Sequence, residues 1–254
     1  MLIKLTEKAD IGGVAVRVCD NIALMLSDGA ITGGECGICG ILLITEIADG
    51  IYLDADANIY VESRGEICYA HHGSINRIGD IAVRTSFTDG RLAEVGASRI
   101  LYSEGGELCE IGGARVVRSP ITGKPILIGN LKLEYYTFVK RPDPLGARDE
   151  GENPYLDAIE RLNGLLMRFG ECEIRRMPRT GTVLSVGQTE VRTNPMTGRL
   201  LSVGNVTVEY LADGRVLRIG IDSAEYSYVT GRLSALGACR LEYSPINGKI
   251  TYIG

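Results

Sequence analysis

The chain reads as mostly β: an antiparallel meander of β-hairpin repeats of about 17 residues, with one amphipathic α-helix. Three observations predict this. Glycine recurs every 16 or 17 residues, at Gly79, Gly96, Gly112 and Gly129, and again at Gly170, Gly187, Gly204, Gly220, Gly237 and Gly254. Apolar and polar residues alternate between those glycines. Most units then carry a second glycine in a DGR, TGR or NGK type of turn. A fixed period of this kind is the signature of a repeat architecture.

The stretch VGNVTVEYLADGRVLRIG, residues 203–220, shows each element of a unit. Val206, Val208 and Tyr210 fall two, four and six places after Gly204, with Thr207 and Glu209 between them. This period of two is that of a strand with one buried and one wet face. The same positions hold Leu131, Leu133 and Tyr135 in one unit and Cys239, Leu241 and Tyr243 in another. Asp213-Gly214, Thr230-Gly231 and Asn247-Gly248 supply the positive φ that a hairpin turn needs. A shorter strand follows, such as Leu233 to Leu236, and the unit glycine turns the chain into the next hairpin. Leu233 and Leu236 are three apart, which strict alternation places on opposite faces; a β-bulge or a strong twist beside the turn reconciles them. One hairpin is marginal in water, so stacked units must share an apolar face.

Along the chain this gives four segments. Residues 1–56 are an N-terminal β segment, off the register of the repeat. Residues 57–141 form a first hairpin array and 170–254 a second. Between them, 142–169, lies a polar linker and then PYLDAIERLNGLLMRFG, where Tyr155, Ile159, Leu162, Leu166 and Phe169 recur at three or four. Asn153 suits an N-cap, Pro154 a first helical turn and Gly170 a stop, so a helix is expected over 154–169, packed on the apolar face of the sheet as a plug or lid. The last strand, Ile250 to Ile253, is expected to leave an open edge. Either the N-terminal MLIKL closes it or another molecule adds to it.

The pieces VEYLADGRVLRIG and YSYVTGRLSALG resemble the tyrosine–aspartate (YD/RHS) repeats, in which a Tyr-bearing strand meets a DxxGR-type turn. The resemblance covers about 63–140 and 170–254. It implies that hairpins can curve into a shell or barrel, and it carries no function. The period here is shorter, and Leu211, Ser227 and Ser244 stand where the family has Asp after Tyr.

The formal net charge of −5 opposes binding to a nucleic-acid backbone. With no Trp and three Phe, an aromatic stacking platform is not expected. Outward rows of Arg and Glu oppose a barrel facing lipid. The N-terminus lacks a signal-peptide apolar run, so the seven Cys are expected as reduced thiols in a cytoplasmic protein.

The most suggestive local motif is Glu35-Cys36-Gly37-Ile38-Cys39-Gly40. A CxxC followed by Gly resembles a zinc or iron knuckle, with zinc the ion considered as cofactor, and Cys68, His71 and His72 are the only other ligands nearby in the sequence. A single CxxC without a second one is a weak signal, and the plain reading is a pair of small residues in a Gly-rich turn. His71 and His72 fall at a hairpin tip, where the plain reading is two polar turn residues. Asp54, Asp56 and Glu62 lie close together in LDADANIYVE, as a solvated strand face or as carboxylates of a cleft. The functional expectation is a structural or interaction scaffold that binds a protein partner or itself through its terminal strands. The alternatives are a metal or redox protein using the CxxC, and a hydrolase with a carboxylate cleft.

Overall fold

The computed structural model describes residues 1–27, 29–32, 40–137 and 161–254. Two concentric β structures account for them. The first is built from β1 (Leu2–Leu5), β2 (Ile11–Cys19), β3 (Ile22–Ser27), β4 (Ala30–Ile31), β5 (Ile41–Ala48), β6 (Ile51–Asp54) and β7 (Ile59–Glu62). The pairings β1–β2, β2–β3, β3–β5, β5–β6, β6–β7 and β7–β1 complete a circuit, so six strands close into a small barrel with β4 added on β3. The second comprises twenty strands, β8 (Gly65–Tyr69) to β27 (Ile250–Ile253), paired in chain order and closed by β27 on β8.

Strand alternation explains why one barrel sits inside the other. In the small barrel Leu2, Ala15, Ala23, Leu42, Ile44, Tyr52 and Tyr60 face its own interior. Ala15 and Ala23 leave the room that two tyrosines need in so narrow a lumen. The residues between them, among them Ile3, Leu5, Val14, Leu24, Leu43, Leu53 and Val61, face outward and are also buried. They share one apolar cluster with Ile67, Val95, Ile111, Phe169, Ile174, Val203 and Ile253, which lie on the inner face of the large ring. Backbone bonds also join hub to ring: Ala9 O accepts from Ile75 N at 2.7 Å, Glu7 O from Leu92 N at 2.7 Å and Gly29 O from Val216 N at 2.8 Å. A barrel of this strand number encloses a channel or a plugged lumen. Here the plug is the chain's own N-terminal barrel, the hub.

The ring is ten hairpins in one register. In β10 (Ile81–Thr85) and β11 (Leu92–Val95), Val83 lies opposite Val95, and Val95 lies opposite Ser98 of β12 (Ser98–Tyr102). Each unit therefore advances two residues along the strand. The closing seam obeys the same rule, with Leu241 opposite Ile253 and Ile253 opposite Gly65. Shear equal to strand number sets a tilt of about 36° and, at ~4.8 Å per strand, a ring roughly 40 Å across. All hairpin loops consequently lie on one rim, and all tight turns on the other.

Each hairpin carries a bulge. Tyr226 pairs with Leu233 and Glu225 with Ala235, which leaves Ser234 unpaired, so Leu233 and Leu236 both face the hub. The bulge resolves the spacing of three. It also corrects the expected helix. Gly164 sits in a turn with φ +77°, and β17 (Leu166–Phe169) pairs with both β16 (Leu131–Tyr135) and β18 (Cys172–Arg176). Leu166 and Phe169 match a helical i, i+3 step because a bulged strand puts the same spacing on one face. Residues 154–160 of that expectation lie outside the described residues. Gly170 is no helix stop but the first residue of a two-residue turn, φ +58°, as its counterparts are. Gly followed by any residue in such a loop is the type II′ hairpin.

Both terminal strands are paired on each side, β1 by β2 and β7, and β27 by β26 (Cys239–Tyr243) and β8. The edge expected at Ile250 to Ile253 is closed within the chain, by Gly65–Tyr69 rather than by MLIKL. The two arrays form one continuous wall.

Candidate interaction rim

The loop rim is built from a contact that repeats at the seams between units. The Lys or Arg that follows the loop glycine lies over the Tyr that ends the next unit's first strand. Arg91 covers Tyr102 at 5.7 Å, Lys124 covers Tyr135 at 5.2 Å, Arg199 covers Tyr210 at 5.6 Å, Arg215 covers Tyr226 at 4.3 Å and Arg232 covers Tyr243 at 5.4 Å. At the closing seam Lys249 covers Tyr69 at 4.9 Å. The tyrosine hydroxyls donate back across the seam to the preceding hairpin, Tyr243 to Leu233 O at 2.8 Å and Tyr69 to Ile250 O at 2.7 Å. The cations donate onward to the next loop glycine, Arg215 to Gly231 O at 2.9 Å and Lys249 to Gly73 O at 2.7 Å. Thr85, Arg118, Arg176 and Thr193 stand where the other units have Tyr; of these Arg176 is buried, donating to Leu166 O and Gly181 O at 3.0 Å. Each such contact is worth about 0.5–1 kcal/mol, and repetition makes the rim rigid. The closing seam is chemically an internal seam. Tyr69→Phe and Tyr243→Phe are thus expected to lower the unfolding free energy equally, by ~1 kcal/mol each in urea titrations.

Beyond these seams the loop tips project into solvent. Phe87, Ile121, Met196, Tyr228, Val229 and Ile246 are each at least nine-tenths exposed. They occupy the longer loops, in which Gly90, Gly123, Gly198, Gly231 and Gly248 donate to the carbonyl four residues back. Pro precedes Ile121, Met196 and Ile246 and stiffens the turn. The shorter loops carry charged or polar tips: His71-His72, Glu104 and Asp213, all exposed. Isolated exposed apolar residues are ordinary; a set of them on one rim of a charged ring is not.

At the centre of that rim the hub opens in a cavity of about 260 Å³, lined by Lys4, Met25, Ser27, Thr32, Asp54, Asp56, Asn58 and Tyr60. Asp54 is buried in the hub wall. Its carboxylate accepts from Tyr60 Oη at 2.9 Å, Asn58 Nδ2 at 2.7 Å, Asn58 N at 2.8 Å and Asp56 N at 3.0 Å. Burial raises its pKa above the usual carboxylate range, against the lowering effect of the Asn58 and Tyr60 bonds. A raised acid binds its proton more tightly folded than unfolded, so its contribution to stability is full below the unfolded pKa and falls as pH rises through the folded one. Urea titrations from about pH 4 to 7 should show that fall in the wild type, and Asp54→Asn should flatten it.

The hub's other end, at the tight-turn rim, holds a separate polar cluster. Arg17 NH1 donates to Tyr52 Oη at 2.8 Å, and Tyr52 donates to Glu62 Oε2 at 2.9 Å. Burial, then the Glu62 bond, pushes the Tyr52 phenol up to about 12. Asp54 and Glu62 therefore lie at opposite ends of the hub, and Asp56 is an exposed turn residue. The three carboxylates grouped in the sequence do not converge.

The expected metal ligands are placed as follows. Cys36 and Cys39 lie outside the described residues. The Cys68 thiol accepts from Arg77 NH2 at 3.1 Å on the ring's outer face. His72 Nε2 meets Ser74 Oγ at 2.6 Å, and His71 is exposed at the same tip. Among the described residues no three His, Cys, Asp or Glu side chains form a metal-sized cluster. The Arg/Lys–Tyr seam was not expected from the sequence, although its signal is there. The cation and its tyrosine are eleven residues apart at every seam but the closing one, as in Arg91–Tyr102, Lys124–Tyr135 and Arg232–Tyr243.

No protein-family model matches the chain, and no curated protein is similar to it. The likeness to tyrosine–aspartate repeats stands on its residues alone.

Proposed function

We propose that the protein is an interaction scaffold: a rigid ring of hairpins that presents its loop rim to a macromolecular partner. One observation carries this reading, the set of six exposed apolar side chains on the hairpin tips of a single rim. Nothing in the fold needs them there, because the apolar residues that hold ring to hub are all on the inner wall. Their loops are stiffened by prolines and by the cation–tyrosine seams, so docking orders little that is not already ordered.

The variant F87S/I121S/M196S/I246S tests it. Since all four positions are exposed, the melting temperature stays close to wild type. Every association of the wild-type protein, with itself or with an added partner, should weaken at least tenfold by light scattering or biosensor. A variant that binds as well as wild type removes the rim from the reading.

A further inference from the structure

We infer that the partner of the loop rim is a second copy of the chain, docked rim to rim about a two-fold axis. The inference rests on the loop rim being the docking face. It comes from the order of the tips around the ring. Counted from Gly65, the tips of the ten hairpins run His71-His72, Phe87, Glu104, Ile121, a fifth outside the described residues, Arg179, Met196, Asp213, Tyr228-Val229 and Ile246. The uniform register puts the strand ends that carry them at one height, evenly spaced.

A two-fold axis across the rim reverses the order of tips. Placed through the second and seventh hairpins, which are diametrically opposite, it sets Phe87 against Phe87 and Met196 against Met196. The same axis sets Ile121 against Ile246 twice. It also brings His71-His72 to Glu104 twice, and Arg179 to Asp213 twice. Eight of the ten hairpin tips thus meet one of their own kind or of complementary polarity, as an isologous interface requires, and the ninth, Tyr228-Val229, faces the fifth, which lies outside the described residues. Asp213 already pairs with Arg215 at 2.7 Å within its own loop, and Arg179 adds a second cation. The short loops of His71-His72 and Glu104 face one another, Phe87, Ile121, Met196 and Ile246 all stand on longer ones, and the longer loop of Arg179 reaches toward the shorter loop of Asp213.

The four apolar side chains with described counterparts, Phe87, Ile121, Met196 and Ile246, at the order of 150–200 Å² each give about 600–800 Å² per copy, close to the ~800 Å² per partner of a standard interface. A lipid surface offers no such match. It would desolvate Asp56, Glu104 and Asp213 on the same rim without giving them partners.

The experiment is size-exclusion chromatography with light scattering on the full chain from 1 to 500 μM, with wild type beside three sets of variants. The expected mass is twice 27.4 kDa. R179D should weaken dimerisation at least tenfold, and R179D/D213R should restore it. With a short bis-maleimide, F87C should cross-link to itself beyond the wild-type cysteine background. I121C should do so only when I246C is present. A monomer at every concentration overturns the proposal, as does a dimer that ignores R179D and cross-links at none of these pairs. Sedimentation with phosphatidylcholine/phosphatidylglycerol vesicles separates the two levels of the argument. A monomer that binds vesicles and loses them in F87S/I121S/M196S/I246S keeps the rim and rejects the second copy. A dimer indifferent to those serines rejects both.

Discussion

Phe169→Ala is expected to lower the unfolding free energy by about 3–5 kcal/mol, and to do so identically for the ring and the hub. Phe169 is 1% exposed and is among the largest fully buried side chains. It stands on β17, faces inward, and belongs to the apolar cluster shared by both barrels. Removing it leaves a void between two closed walls, neither of which can collapse without breaking its own pairing, so the cost falls near the top of the range. The shared cluster also makes the two barrels one cooperative unit. Urea unfolding followed by far-ultraviolet dichroism, mainly the ring, and by a fluorophore on the hub should give coincident midpoints in wild type and variant. Two separated transitions would show that the hub folds and unfolds independently of the ring.

Gly79→Ala is the second large effect, about 3 kcal/mol or more, while Gly90→Ala costs only ~1 kcal/mol. Both glycines have positive φ, +54° and +72°. Their surroundings differ. A Cβ at Gly90 meets nothing within 4 Å. At Gly79 it overlaps the Arg64 carbonyl oxygen and comes within 2.7 Å of Ser63 Oγ, the hydroxyl that donates to Ile78 O. Those residues join hub to ring, and the next, Gly65, begins the strand on which the ring closes. Relief of the clash has to displace the closing seam. Thermal unfolding of the two variants side by side separates turn strain, common to both, from the contact that only Gly79 makes.

The fold was largely legible because its unit is written in small spacings. The glycine period gave the hairpins, and Val206, Val208 and Tyr210 gave the inward face. Closure was not legible, since Gly65–Tyr69 and Ile250–Ile253 look like any other pair of strands and only register over the whole ring brings them together. The hub was hard to see for a different reason. ILLITEIA and IYLD show almost no alternation, because both their faces are buried. The helix was misread where a bulged strand imitates helical spacing at Leu166 and Phe169. The loop rim is the least legible part: nothing marks Phe87, Met196 and Ile246 in the sequence, since a sequence pattern reveals burial and not which exposed residues share a rim.

The hub's girth has a consequence for how such a chain can change length. One more hairpin adds two strands to the circumference and widens the ring by roughly 2 Å in radius. A gap of that size forfeits most of the dispersion contact between the walls. Copy number is therefore gauged by the first 62 residues: duplication or loss of a single 17-residue unit, the easiest event in a repetitive gene, yields a tyre that no longer fits its wheel.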